Sequence, residues 1–324
     1  MIDRLWGVRP AAVAAVVAVA ALGLSGCLVP EPFRNDGGGG DAGAGPTSAS
    51  PAPAAPRLPP VTGPMARMPP GTKVPLVRPG RLTICEGFAG PPYIAPKGGS
   101  TVPGQQGGGT AEGFDIDLLI LVAERLGVTP LVTPVQSLDL VQGTAMRRGR
   151  CDLAASAFPD NAYTRKLFLP SAPYLRRGPA ILTGAEARHT SLASLAGKRV
   201  GVIEGDVVGE EAVKRHNAQG GTPILVQRTE RAIIQYMLMN GRLDAAVVDG
   251  GLALYLVNRR VRDGRLRIAA ELGPMENVVF GIRPGNRALA RQVNAALADA
   301  ARNGRYARAY ANWFGTAPKW VPTG

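Results

Sequence analysis

The sequence predicts an α/β protein of two lobes, each built on a parallel-rich sheet, with a ligand cleft between them. Three observations predict it. The stretch from Arg81 to Gly324 is longer than a single hydrophobic core commonly fills. It contains an internal echo: Arg81-Leu-Thr-Ile-Cys-Glu-Gly87 parallels Arg199-Val-Gly-Val-Ile-Glu-Gly205, and Gly149-Arg-Cys-Asp-Leu-Ala-Ala155 parallels Gly241-Arg-Leu-Asp-Ala-Ala-Val247. Helical patterns separate these nearly all-apolar strands, an alternation that suits parallel sheets covered on both faces.

The N-terminus has the plan of an export signal. Arg4 and Arg9 precede an apolar run from Ala11 to Leu24, and Leu24-Ser25-Gly26-Cys27 follows. A signal peptide needs a short apolar core and small residues at the cut. The run is shorter than the ~20 apolar residues of a comfortable membrane span. The four residues resemble the lipobox of bacterial lipoproteins at each position. That resemblance implies removal of residues 1–26 and a diacylglycerol on the Cys27 thiol. An ordinary signal peptide with an incidental cysteine, or an uncleaved anchor, is the alternative.

Residues 27–79 are expected to be a disordered tether. Gly37 to Gly40 is a run of glycines, and Pro51, Pro53, Pro56, Pro59 and Pro60 follow closely. So little apolar surface does not offset the entropy of ordering the chain. The net charge is +13, carried mostly by scattered arginines with few aromatic residues among them. This reads as a basic surface facing an anionic envelope, and no nucleic-acid partner is expected. His189 and His216 lack metal-ligand spacing, so neither metal nor cofactor is expected. Gly201, Gly205 and Gly209 are followed by no Gly-Lys-Ser/Thr and make no phosphate loop.

Within the folded part, residues 80–176 are assigned to lobe 1, 177–275 to lobe 2, and 276–324 to a return to lobe 1 with C-terminal helices. Ile116, Leu119, Ile120, Ala123 and Leu126 fall on one helical face. Ala232, Ile233, Tyr236, Met237 and Leu238 precede Gly241 in the second half. Gly149 and Gly241 each suit a helix C-terminus, where the left-handed conformation is needed. Closing helices are expected near Leu289 to Ala301 and Tyr306 to Phe314. Ligands of open parallel sheets bind beyond the carboxyl ends of the strands. Those ends are Glu86-Gly87, Ala155-Ser156-Ala157, Glu204-Gly205-Asp206 and Val248-Asp249, and facing lobes would bring all four to one cleft.

Further residues carry a family resemblance. Gly113-Phe114-Asp115-Ile116-Asp117-Leu118 with Ala123-Glu-Arg-Leu-Gly127 resembles the signature of family-3 extracellular solute-binding proteins, the receptors of polar amino-acid ABC transporters. Gly90-Pro91-Pro92-Tyr93, Ser194 to Gly205, and Asn303-Gly304-Arg305-Tyr306 through Trp313-Phe314-Gly315 are similar to further segments of that family. The resemblance implies a periplasmic-binding-protein type II fold, with crossings near Tyr174 to Gly178 and Met275 to Val279. It implies a monomeric, non-enzymatic receptor that closes on a small polar ligand, an amino acid first of all. Delivery to an ABC permease and anchorage to a bacterial membrane through the lipid, in the periplasm or at the cell surface, belong to the same expectation.

By the same resemblance, Asp249 stands where the ammonium-binding aspartate belongs, Ser156 at a hydroxyl position, and Arg165 is the candidate carboxylate clamp. The chain departs from the pattern in several places. Arg165 is displaced by about one residue under a simple alignment. Gly87 replaces an aspartate and Gly90 the stacking aromatic, a space that Phe88, Tyr93 or Phe158 can fill. Asp206 and Val207 replace hydroxyl residues, and Glu86 and Glu204 end the paired strands. Each residue has a plainer reading: Asp249 and Asp115 as helix caps, Arg165 as a solvated loop residue. Cys85 and Cys151 lie on strands that neighbour one another in the family's sheet, so they pair if the register allows and otherwise remain separate thiols. Two other functions fit the fold. One is a cyclohexadienyl-type dehydratase using Glu86, Glu204 or Asp206 for proton transfer. The other is an accessory binding protein of an exported quinoprotein dehydrogenase.

Overall fold

The computed structural model describes residues 56–87, 90–97, 111–219 and 225–323. Cys27 and its signal therefore lie outside the described residues, and so does Phe88. The first lobe runs β1 (Arg81–Glu86), β2 (Ala95–Pro96), β3 (Ala111–Glu112), α1 (Phe114–Leu126), β4 (Thr129–Pro134), α2 (Ser137–Val141), α3 (Thr144–Arg147), β5 (Leu153–Pro159), α4 (Ala162–Leu167), β6 (Leu169–Pro170) and β7 (Leu175–Arg177). The second lobe contains β8 (Pro179–Gly184), β9 (Arg199–Ile203), α5 (Val207–Ala218), β10 (Leu225–Thr229), α6 (Arg231–Met239), β11 (Ala245–Asp249), α7 (Gly250–Tyr255) and β12 (Leu266–Glu271). The chain returns with β13 (Glu276–Ile282), α8 (Arg287–Arg302) and α9 (Arg305–Phe314).

The two sheets share a plan. In the first the order is β4-β1-β5-β13-β6, with β7 beside β13; in the second it is β10-β9-β11-β8-β12. The echoed strands β1 and β9 each lie between two parallel neighbours. Antiparallel strands complete each sheet where the chain crosses, so the sheets are parallel-rich and mixed. Gly149 and Gly241, with φ of 64° and 63°, end the helix before the third strand of each lobe in the left-handed conformation that glycine takes without a Cβ clash.

The helical faces hold in part. On α1, Ile116, Leu119, Ala123 and Leu126 are buried as expected, joined by Leu118 and Val122, whereas Ile120 is exposed. On α6, Ile234, Met237 and Leu238 face the core, and Ile233 and Tyr236 face outward. In both helices apolar residues flank the buried stripe, so periodicity alone leaves its edge undetermined.

The tether departs most from expectation. Residues 56–80 form no regular element, yet they pack as an extended strap on lobe 1. Met65 is buried in the lobe 1 core. The strap's N–H groups find acceptors one by one: Met65 on Glu124 at 3.3 Å, Ala66 on Asp299 at 2.7 Å, Met68 on the Arg125 carbonyl at 2.9 Å and Val77 on Asp152 at 2.7 Å. The Pro75 carbonyl accepts from Asn286 and Arg283. Proline-rich composition disfavours helix and sheet, but proline has no N–H to satisfy. Side-chain and backbone groups of lobe 1 therefore hold the strap, and the expectation of disorder to residue 79 is corrected for residues 56–79.

The crossings run side by side. Arg177 pairs with Glu276 between β7 and β13, and β8 pairs with β12 across the junction. Gly178 is needed there, because a Cβ would lie 2.7 Å from Met275 Sδ and 2.8 Å from the Leu272 carbonyl. Cys85 and Cys151 are joined in a disulfide with Cα atoms 5.5 Å apart, as the adjacency of β1 and β5 permits.

Candidate functional site

The lobes meet at Asp249, the last residue of β11. Its Oδ1 caps α7 by accepting the Leu252 N–H at 3.0 Å. The same oxygen accepts a hydrogen bond from the Tyr93 hydroxyl of lobe 1. On the other oxygen, Arg177 Nη1 approaches Oδ2 at 3.3 Å. The Asp249 backbone N–H donates to Asp206 Oδ2 at 2.7 Å. Asp249 is therefore both a cap and a cleft residue. Gly251 makes the approach of the lobes possible, since a Cβ there would lie 2.3 Å from the Tyr93 hydroxyl.

Arg177 is the residue of this junction that sequence reasoning missed. Its Nε donates to Glu276 at 2.8 Å and its Nη2 to the Ala157 carbonyl at 3.0 Å, and its guanidinium stands 5.7 Å from the centre of the Tyr93 ring. Burial alone would lower its pKa, but Asp249, Tyr93 and Glu276 together raise it above the ordinary arginine value, so the charge is fixed. The available signal was the Arg176-Arg177-Gly178 run at a lobe crossing, where Arg177 has no neighbouring carboxylate in sequence to pair with.

Asp206 caps α5, its Oδ1 accepting from Val208 and Gly209 at 3.2 and 3.3 Å. Burial, and then the Asp249 charge, push its carboxyl upward. Asp115 does not cap α1, whose N-cap is Gly113. It is buried beneath the bend of β5, where Ala157 N–H donates to Oδ2 at 3.3 Å and Ala157 itself has φ of 47°. Burial raises Asp115 to about 7, against the lowering effect of the Tyr174 hydroxyl and the Ala157 N–H. Glu86 is likewise buried; desolvation raises it to about 7, and among the described residues its Oε2 has no hydrogen-bond partner.

Several expected residues take other places. Arg165 points to solvent, away from the place expected of a clamp, and pairs bidentately with Asp160 at 2.8 Å. The one-residue displacement noted in the sequence puts Thr164, buried, on the inward side of α4. Phe158 packs away from the cleft against Phe168 and the disulfide. Glu204 is exposed at the end of β9. Ser156 is half-buried near the Gly87 carbonyl at 3.5 Å. The vacancy at Gly90 is met by Arg231 of lobe 2, whose Nη1 donates to the Pro91 carbonyl at 3.0 Å. Behind the hinge, a cavity of about 270 Å³ is lined by Leu175, Leu254, Met275, Tyr310 and Trp320, with Arg177 in its wall.

The arrangement brings charged groups of both lobes to one buried junction beside a double-strand hinge. A model of the bacterial extracellular solute-binding proteins, family 3, matches residues 102–316. L-cystine-binding protein TcyJ of Escherichia coli (strain K12) is 27% identical over 210 residues, which is 64% of this chain and 76% of that protein. A putative ABC transporter arginine-binding protein 2 of the same strain is 24% identical over 208 residues, covering 62% and 81%. Among solved structures, an ancestral arginine-binding protein bound to arginine superposes with a TM-score of 0.56 at 27% identity, covering 73% of this chain and 99% of that one.

Proposed function

The chain belongs to the bacterial extracellular solute-binding proteins, family 3, and on that premise we propose that it is a lipid-anchored receptor that captures a small polar solute of amino-acid size between its lobes and delivers it to an ABC permease. One observation carries this reading. Asp249, at a strand end of the second lobe, meets Tyr93 and Arg177 of the first beside the two antiparallel crossings. Closure of the lobes then assembles the site, and a solute favours closure in proportion to how much better it binds the closed state. The relatives' names support a solute among the amino acids and their kin. The Leu24-Ser25-Gly26-Cys27 sequence supports a lipid on Cys27, with the tether joining it to the strap.

The test is calorimetry of the full chain against the common amino acids and their 2-hydroxy counterparts, with small-angle scattering of the same samples. Binding heat accompanied by a smaller radius of gyration is expected for at least one of them. If no titrant gives either signal, the capture reading fails. Cys27→Ala should move the protein from the membrane fraction to the soluble one and abolish labelling by palmitate.

One observation favours a second reading. Glu86 is a buried strand-end carboxyl with an unpartnered oxygen and is raised to about 7, a value suited to proton transfer near neutral pH. A dehydratase of the cyclohexadienyl type would turn over prephenate or arogenate, and Glu86→Gln would abolish that turnover. Absence of turnover by the wild-type chain removes this reading.

A further inference from the structure

We infer that Arg177 is a built-in cation for the Asp249 pole, and that this chain selects solutes carrying a carboxylate and, in place of an ammonium group, a neutral hydroxyl. The inference rests on the capture reading and names the solute class for it. Asp249 is already met on both oxygens. Oδ1 accepts from Tyr93 and from the Leu252 N–H, and Oδ2 faces the Arg177 guanidinium at 3.3 Å. The residue is only 5% exposed. An ammonium arriving at this pole would have to displace Arg177. The guanidinium would then stay in a desolvated place opposite Glu276, a partner that is itself more than a third exposed. Leaving a buried charge without its partner is the costly step in breaking an interior ion pair. A hydroxyl avoids it. Among the described residues the Arg177 approach leaves the buried Oδ2 without an aligned hydrogen bond, and an O–H admitted between the opened lobes can donate there without adding charge.

The other pole has changed in the same direction. Arg165, which would have clamped a carboxylate from lobe 1, is spent on Asp160 at the surface. Arg231 reaches across from lobe 2, its Nη1 donating to the Pro91 carbonyl, and among the described residues it pairs with no carboxylate. Gly90 supplies the room: a Cβ at that position would lie 3.1 Å from Arg231 Nε. A guanidinium that pairs with no protein carboxylate is suited to a solute carboxylate, which it binds through paired charge-assisted hydrogen bonds. Together the two sites present one cation for a carboxylate and one internally neutralised pole for an uncharged donor.

The experiment is calorimetry of the full chain with matched pairs that differ only in hydroxyl against ammonium: L-lactate and L-alanine, L-2-hydroxyglutarate and L-glutamate, and L-2-hydroxyisocaproate and L-leucine. The hydroxy acid of at least one pair should bind at least about tenfold tighter than its amino partner. Arg177→Met should reverse that order, because Asp249 then presents a bare carboxylate. Arg177→Lys, which retains the cation, should preserve the order at reduced affinity and so guards against a variant that merely misfolds. Tighter binding of the amino member to the wild-type chain overturns the inference while leaving solute capture intact. An order unchanged in Arg177→Met overturns it too. Silence from every member of every pair overturns the inference together with amino-acid-sized capture itself.

Discussion

The two lobes repeat one sequence plan but bury it differently. In each, a Gly-Arg-X-Asp run returns the chain to the start of the first strand, and its aspartate fastens that strand. Asp152 accepts the Thr83 N–H at 3.0 Å, and its own N–H donates to the Thr83 carbonyl at 2.8 Å. Asp244 does the same with Arg199, at 2.8 and 2.9 Å. In lobe 1 the strap closes over the junction, so Asp152 also holds Val77 and is fully buried. In lobe 2 the junction stays open, and the Arg199 side chain covers Asp244 instead. The electrostatics follow: burial raises the Asp152 carboxyl, whereas the Arg199 side chain lowers that of Asp244. The echoed motif thus encodes a fold junction, and what packs over it sets the direction in which its carboxyl is shifted.

The echo also aligns Cys85 with Ile203 and Cys151 with Leu243. Lobe 2 buries these two apolar residues in its core, where lobe 1 has the disulfide. The largest expected effect comes from breaking this difference. Cys85→Ser with Cys151→Ser should destabilise lobe 1 by about 4 kcal/mol, because the bridge closes a separation of 66 residues. Urea unfolding followed separately in each lobe should show the loss confined to the first. An equal loss in both would mean that the lobes unfold as one unit.

The next effect separates the echoed glutamates. Glu204 is exposed, while Glu86 is buried and raised to about 7 from a reference of 4.5. A carboxyl whose folded pKa lies above its unfolded value stabilises fully below the unfolded pKa, and that stability is lost as pH rises through the folded one. Lobe 1 should therefore lose stability between about pH 4.5 and 8, on the order of 3 kcal/mol from Glu86. Asp115, also raised to about 7, adds in the same direction. Glu86→Gln should flatten the pH profile of chemical denaturation, and Glu204→Gln should leave it alone. A profile unchanged by Glu86→Gln would mean that water reaches the carboxyl.

How much of this could be read from residues alone depends on the range of the interactions. The two-lobe plan was legible because strand alternation and the glycine stops before Cys151 and Leu243 are local signals. The strap was not, because Pro- and Gly-rich composition reports only an absence of helix and strand; its acceptors, Glu124, Asp152 and Asp299, lie far along the chain. Asp249 was legible as a strand-end carboxylate that could cap a helix, and the structure shows that cap together with a bond from Tyr93 of the other lobe. Arg177 was hidden because its partners come from separate segments: Ala157, Asp249 and Glu276. Arg165 misled because a one-residue shift on a short helix turns a side chain from the cleft to solvent.

The smallest effect tests the comparison between the aspartates. Replacing either with asparagine keeps the shape, removes the charge and leaves one acceptor oxygen. Asp152 serves two backbone donors, one on each oxygen: Val77 on Oδ1 and Thr83 on Oδ2. An asparagine in its place could serve only one of them, and the other N–H would be left in a junction closed by the strap. An unsatisfied buried donor costs about 1–3 kcal/mol, so Asp152→Asn should lose about 2 kcal/mol. Hydrogen exchange at Val77 or Thr83 should quicken with it. At Asp244 the backbone donor Arg199 uses a single oxygen, and water reaches the rest of the group, whose side chain is 30% exposed. Asp244→Asn should therefore cost under about 1 kcal/mol, in the range of an exposed ion pair, and the loss should shrink further with added salt. Equal losses at the two sites would show that the strap does not seal Asp152 from water, and the contrast between the lobes would then rest on the disulfide and Glu86 alone.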